Sequence, residues 1–359
     1  MSKRIIYYFI VLSTIALASI SCASDLTQSK ASDDLVIYPS PPDTTRIQYL
    51  TSISLSTDIK GKQSAFNKFM FGEEVPKPVV KPYGISMYGS RVYLCDTGIG
   101  GLILIDLSDN SFEYFIPTGR GQLQLPLNSS VDENGLLYVA DGNRKQIVVF
   151  DKELKYVSAF GEATESFKPT DVCLFGEKVF VASVKDQKIF VFDRNNYEKV
   201  NSFPIVEPDE EGYLYQPTNI AVDENYIYVS DIGDNKVKVF THDGKYIRWL
   251  GGYGNRTGQL MRPKGVAVDK DANLYVVDAA FENAQIFNRN GNVLMFFGGP
   301  YRGHGDMWLP ADVMVSYTGL EFFIRFVDPS FSLKYLIFVT NQYGPDKVSV
   351  YGFVGQSKK

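Results

Sequence analysis

The sequence predicts an all-β fold, a six-bladed β-propeller of four-stranded repeats closed by an N-terminal strand. Three observations lead there. Segments opening on Pro82, Pro126, Pro169, Pro217, Pro263 and Pro310 repeat one pattern at spacings of 44, 43, 48, 46 and 47 residues. Each holds short apolar runs joined by turn sequences such as DENG, THDG and NRNG. The sixth repeat stops one strand short, while an unmatched strand-like run, RIQYLTSIS at 46–54, precedes the first. Repeats of 40–50 residues with four strands each are the sequence signature of propeller blades.

The repeat from Pro217 shows the four strands in order: NIAVD, YIYVSD, KVKVF and YIRWLG. They are nearly all apolar rather than alternating, as a sheet buried on both faces requires. One blade alone cannot bury its two faces, so the repeats must form one domain, here 46–354, although 359 residues would allow two. The first repeat reads YGISMYGSRVYLCDTGIGGLILIDL. The last opens with ADVMVSY and resumes as YLIFVTNQYGPDKVSVYGF after an insertion near 317–334. Residues 46–54 should supply the missing outer strand and so remove an exposed edge. Residues 60–80 fit no repeat and read as a short helix and loop over one rim; residues 355–359 form a tail.

Upstream, Lys3 and Arg4 precede an apolar run from Ile5 to Ala18 and then Ser19-Ile20-Ser21-Cys22. This is the layout of a secretory signal, residues 1–21, and is too short for an ordinary membrane span. The SISC sequence resembles a bacterial lipobox, which implies cleavage before Cys22 and acylation of its thiol. Ser19 departs from the aliphatic residue usual there. Ala23 follows the cysteine, and the Asp that often retains lipoproteins at the inner membrane is absent, so an outer-membrane lipoprotein, periplasmic or surface-facing, is expected. Residues 22–45 are polar, then Pro-rich, and read as a tether. With Cys22 acylated, Cys95 and Cys173 remain; they fall two blades apart in apolar runs and read as free, buried thiols.

Composition narrows the function. Losing two cations and no acid with the signal takes the net charge from −5 to −7. A chain this acidic is a poor match for a nucleic-acid backbone.

The runs Gly265-Val266-Ala267-Val268-Asp269 and Leu137-Tyr138-Val139-Ala140-Asp141 resemble the NHL repeat family over about residues 80–353. The resemblance implies a six-bladed propeller. The lead-in YPSPPDTTRIQYL is similar to that of a group of bacterial lipoproteins with six-bladed propellers, found among others in metal-reducing deltaproteobacteria; that likeness carries no activity.

No catalytic set emerges. Asp96, Asp141, Asp231 and Asp278 each end a second strand, with Ser183 and Asn341 in the other two blades, and Asp132, Asp223 and Asp269 open the inner hairpins. Short acceptors at strand ends satisfy turn amides, and a repeat copies that device. The two histidines cannot build a three-His zinc site: His242 lies in a solvent-facing turn and His304 in an interblade loop. Only His304 could sit where a streptogramin-lyase mechanism needs a histidine. Gluconolactonase-type propellers use Glu, Asn and Asp around calcium. Asn128, Asp171, Asn219 and Asp312 lie near one end of the inner strands and could coordinate a cation. A calcium-dependent lactonase or similar hydrolase is therefore the alternative to a binding module.

The Gly-rich interblade connections all leave a fourth strand and enter a first, so they share one face of the disc. They carry Arg120, Tyr253, Arg256, Tyr301, Arg302, His304 and Trp308, with Arg144 nearby on a second-to-third-strand turn. Arg and aromatic side chains are enriched among interface anchors. Asp209, Glu210 and Glu211 share the face, and the mixed charge suits a protein partner from the envelope or outside the cell. The expectation is a monomeric, non-catalytic scaffold propeller with no cofactor, calcium excepted, held to the membrane by its lipid.

Overall fold

A computed structural model describes residues 35–61, 63, 68–70 and 72–357. Cys22 and the expected signal segment lie outside the described residues. The six prolines each open an inner strand: Pro82–Tyr88, Pro126–Val131, Pro169–Phe175, Pro217–Val222, Pro263–Val268 and Pro310–Ser316. In the first five blades, three further strands follow in chain order as one antiparallel sheet. Neighbouring inner strands touch in a closed cycle, blade 6 against blade 1 included.

The sixth blade closes the ring as the sequence suggests. Its strands Pro310–Ser316, Phe331–Asn341 and Val348–Gln356 are completed by Ile47–Ile53, with Ile47 opposite Phe353 and Ile53 opposite Val348. A fifth strand, Ile37–Tyr38, pairs with that closing strand, and the Tyr38 hydroxyl donates to the Gly305 carbonyl at 2.9 Å. The folded body thus begins inside the segment expected as tether, because a Val-Ile-Tyr run among prolines suffices to add an edge strand. The last hairpin is also longer than expected, from Phe331 to Gln356, and takes in the first residues of the expected tail. The insertion forms a helix at Leu320–Phe323 and a 3-10 turn at Ile324–Phe326. The buried Gln48 amide holds it, donating to Phe326 O at 2.9 Å and accepting from Asp328 N at 3.0 Å.

The core is divided among the interblade interfaces. Six apolar clusters each bridge two adjacent blades, such as Tyr275, Val277 and Phe297 against Val313, Ile337 and Tyr351. The carboxylates ending the second strands have the role assigned to them. Asp141, fully buried, accepts from the amides of Gln124, Leu125, Asn143 and Arg144. Asp96 and Asp278 each do the same for four amides, and Asp231 receives Tyr215 and Gln216. Each carboxylate pins the connection that enters its blade, and so fixes the loop face. His242 is not free in solvent. It is half-buried, with Nε2 2.8 Å from Asp223 O and its ring 4.8 Å from that of Phe175.

Candidate functional site

The propeller has a central channel, and its geometry follows from a repeated irregularity. In all six blades the register with the second strand slips just after the opening proline. Such a bulge re-aims the side chain beside it. The residues two places after the prolines are Gly84, Asn128, Asp171, Asn219, Gly265 and Asp312. The glycines are required by close approach. A Cβ on Gly84 would stand 2.1 Å from Asn128 Oδ1, and one on Gly265 would stand 2.4 Å from Asp312 Cα. The four polar residues singled out in the sequence therefore do form one buried ring, each at most 5% exposed.

Asp171 accepts from Val172 N and Ile220 N, both at 2.7 Å, and Asp312 accepts from Ile85 N at 3.1 Å. Burial, then the charge of Asp312, pushes the Asp171 carboxyl well up; burial pushes Asp312 up to about 7. Both amide atoms of Asn219 are buried without a partner. On the loop side, Lys264 donates to the Tyr83 hydroxyl at 2.7 Å, and burial lowers its ammonium to about 8. On the opposite side a cavity of about 300 Å³ opens, floored by Asn128, Asp171 and Asp312 and walled largely by Val, Ile and Met. Cys173, expected buried, is only partly buried in that wall.

The loop face carries a second arrangement. The connection at 299–308 is closed on itself by Met307 N donating to Gly299 O at 2.9 Å, with Met307 fully buried. The preceding connection repeats the device, with Leu260 N donating to Gly252 O at 2.9 Å. The closure presents Tyr301 and Trp308 stacked at 5.9 Å and 27°. His304 Nδ1 lies 2.9 Å from Asp346 Oδ2; the imidazole is 66% exposed, the carboxylate 3%. Ser52 Oγ donates to Asp346 Oδ1 at 2.8 Å, and Tyr49 stacks on the imidazole at 5.8 Å and 15°.

The residues expected at a partner surface divide into groups. Tyr301, His304 and Trp308 are brought together, with Arg302 exposed on the same loop. Tyr253 (72% exposed) and Arg256 lie on the adjacent connection. Arg120, exposed, belongs to the connection from blade 1 to blade 2. Arg144 is engaged elsewhere: its guanidinium donates to Gln122 O at 2.7 Å and Gln146 Oε1 at 2.8 Å, which makes it a loop clamp. Sequence reasoning missed Asp346, Ser52 and Tyr49 behind His304, and Lys264 with Tyr83 above the ring. Nothing local marks Asp346, which lies 42 residues beyond His304 and reaches it through the blade. The Gly, Asn or Asp two places after each opening proline was the available sign of the ring.

Comparison with known proteins supports the fold. Residues 200–287 match a family model described as a 6-bladed beta-propeller. The chain is 29% identical over 97 residues to the Drosophila melanogaster protein brain tumor, a match in keeping with NHL-type repeats; it spans 9% of that protein's length. Among solved structures, it is similar to a gluconolactonase from Xanthomonas campestris, with TM-score 0.56 and 11% identity over 88% of this chain and 91% of that one. It is also similar to virginiamycin B lyase from Staphylococcus aureus, with TM-score 0.52 and 12% identity over 76% and 85%. At these identities the likeness is one of fold.

Proposed function

We propose that this chain is a non-catalytic binding propeller, lipid-anchored through Cys22 in the outer membrane of a bacterial cell envelope. Its loop face holds a protein partner in envelope assembly or transport. The observation that carries this reading is the Tyr301–Trp308 stack beside the His304–Asp346 pair. These aromatics are held by loop closure and a buried carboxylate, so little freedom is lost when a partner covers them. Arg302 follows Tyr301, Arg256 and Tyr253 lie on the adjacent connection, and the acidic connection at 209–211 gives the face its mixed charge.

Affinity capture of the tagged, full-length protein from its native envelope is expected to recover one reproducible protein partner. Combining Arg256→Glu, Arg302→Glu and Trp308→Ala is expected to remove it. Recovery of no partner, with a tightly held calcium ion in the purified propeller, would overturn the reading in favour of lactone and ester hydrolysis at the channel. Separately, Cys22→Ser is expected to move the protein from the membrane to the soluble fraction. Unchanged membrane retention would remove the lipid anchor from the reading.

A further inference from the structure

We infer that the central channel is a receptor for a primary alkylammonium group. The alkyl chain enters from the side opposite the loop face, and the ring of Asn128, Asp171, Asn219 and Asp312 holds the ammonium.

Asp171 and Asp312 are 4% exposed, and the hydrogen bonds they accept come from neutral amides, those of the backbone and of the Asn128 side chain. Among the described residues, no ion pair includes either carboxylate. Buried carboxylates without a counter-charge are costly, and both groups accordingly hold their protons more tightly than an ordinary aspartate. Lys264 does not supply the charge, because its ammonium is turned to Tyr83 on the loop side. Independently of the carboxylates, Asn219 keeps both amide atoms unpartnered at 1% exposure in the same ring. A native structure rarely leaves such a group unpaired unless something else occupies the site.

The wall selects the kind of cation. Ile85, Val172, Ile220, Val266 and Val313 line the passage to the ring, together with the hydroxyls of Ser86, Ser129, Ser130 and Ser316. Burial against the aliphatic side chains favours an alkyl chain by about 0.8 kcal/mol per methylene. An ammonium has three donors, which two carboxylates and an amide oxygen can satisfy together. Asp171 lies two residues inside Cys173, the first partly exposed position on its strand. By strand rise that is about 7 Å, the reach of a chain of about four carbons.

The test is calorimetric titration of the intact protein with n-butylammonium at pH 8, with n-pentanol as the neutral control of similar length. Saturable binding at about 1 mM or tighter is expected, at least about 10-fold stronger than for the alcohol. Asp171→Asn and Asp312→Asn are each expected to weaken it about 10-fold. Should those variants fail to fold, the pH series on the unaltered protein decides. Binding needs ionised carboxylates, so affinity is expected to fall up to about 10-fold between pH 8 and pH 6 as Asp312 takes up its proton. The other titratable or charged groups facing the pair are Tyr83, Lys81, Lys264 and Arg262 on the loop side, with Cys95 and Cys173. Burial lowers Lys264 to about 8, so it becomes more cationic on acidification; Lys264→Met is therefore run in parallel and should keep the same slope. Nα-acetyl-lysine N-methylamide separates the two sources. Its binding assigns the site to a lysyl side chain of a partner, and its exclusion with butylammonium retained assigns a free amine. Equal binding of the alcohol, absence of saturable binding, or displacement by tighter-binding calcium would overturn the inference. Because the site faces away from the loop face, Trp308→Ala should leave amine binding unchanged, so the two readings can fail separately.

Discussion

Replacing Asp141 by alanine is expected to remove about 3–5 kcal/mol of folding stability, a large fraction of what a domain possesses. The carboxylate is fully buried and accepts from four backbone amides: Gln124 and Leu125 in the entering connection, Asn143 and Arg144 in the following turn. Alanine cannot accept, and each orphaned amide costs about 1 kcal/mol or more. At about 2–4 °C per kcal/mol, the thermal midpoint should fall by roughly 6–20 °C. Blade 3 provides the internal comparison. Its equivalent, Ser183, accepts one connection amide, from Lys168 at 2.9 Å, and donates to Asp186. Ser183→Ala should therefore cost only about 1–2 kcal/mol. Equal midpoints for the two variants would show that these carboxylates do not hold the loops as described.

That contrast also explains what the sequence could and could not reveal. The blades were legible because one physical requirement, burial of both sheet faces between neighbours, recurs six times and leaves the same mark each time. The strand-end acceptors were legible for the same reason. Function-bearing features were not, because they occur once. His304 reads as a loop histidine until Asp346 and Ser52, from two different strand ends of blade 6, are found behind it. Arg144 looks like a surface anchor in the sequence, yet its guanidinium is satisfied by Gln122 and Gln146. The ring lay in between. Asn128, Asp171, Asn219 and Asp312 could be placed near a common axis, but Gly84 and Gly265 gain their meaning only from the blades beside them. Each leaves the space into which the next blade's Asn128 or Asp312 fits.

Removal of the closing strand should be more damaging than any point substitution. A chain beginning at Ser54 lacks Ile47, Leu50 and Ile53, each at most 7% exposed, and full burial of such side chains contributes about 1.5–3 kcal/mol apiece. It also lacks the Gln48 amide that holds the insertion and the Ser52 hydroxyl on Asp346. The strand Val348–Gln356 would then lose its outer partner and expose an apolar edge, which promotes association with other chains. The truncated protein is expected to aggregate, or to remain open with a much lowered midpoint. A peptide of residues 36–53 supplied in trans should bind and restore a monomer. A circular permutant should separate loss of the strand from loss of connectivity. It would join Ser357 to Val36 by a short linker and open at the exposed turn Asn195–Asn196. It keeps every strand pair and closes blade 6 within one continuous segment, so it should fold with a midpoint near that of the parent. If the truncated chain instead stays monomeric with an unchanged midpoint, the interblade clusters alone hold the ring, and the N-terminal strand serves only to cover an edge.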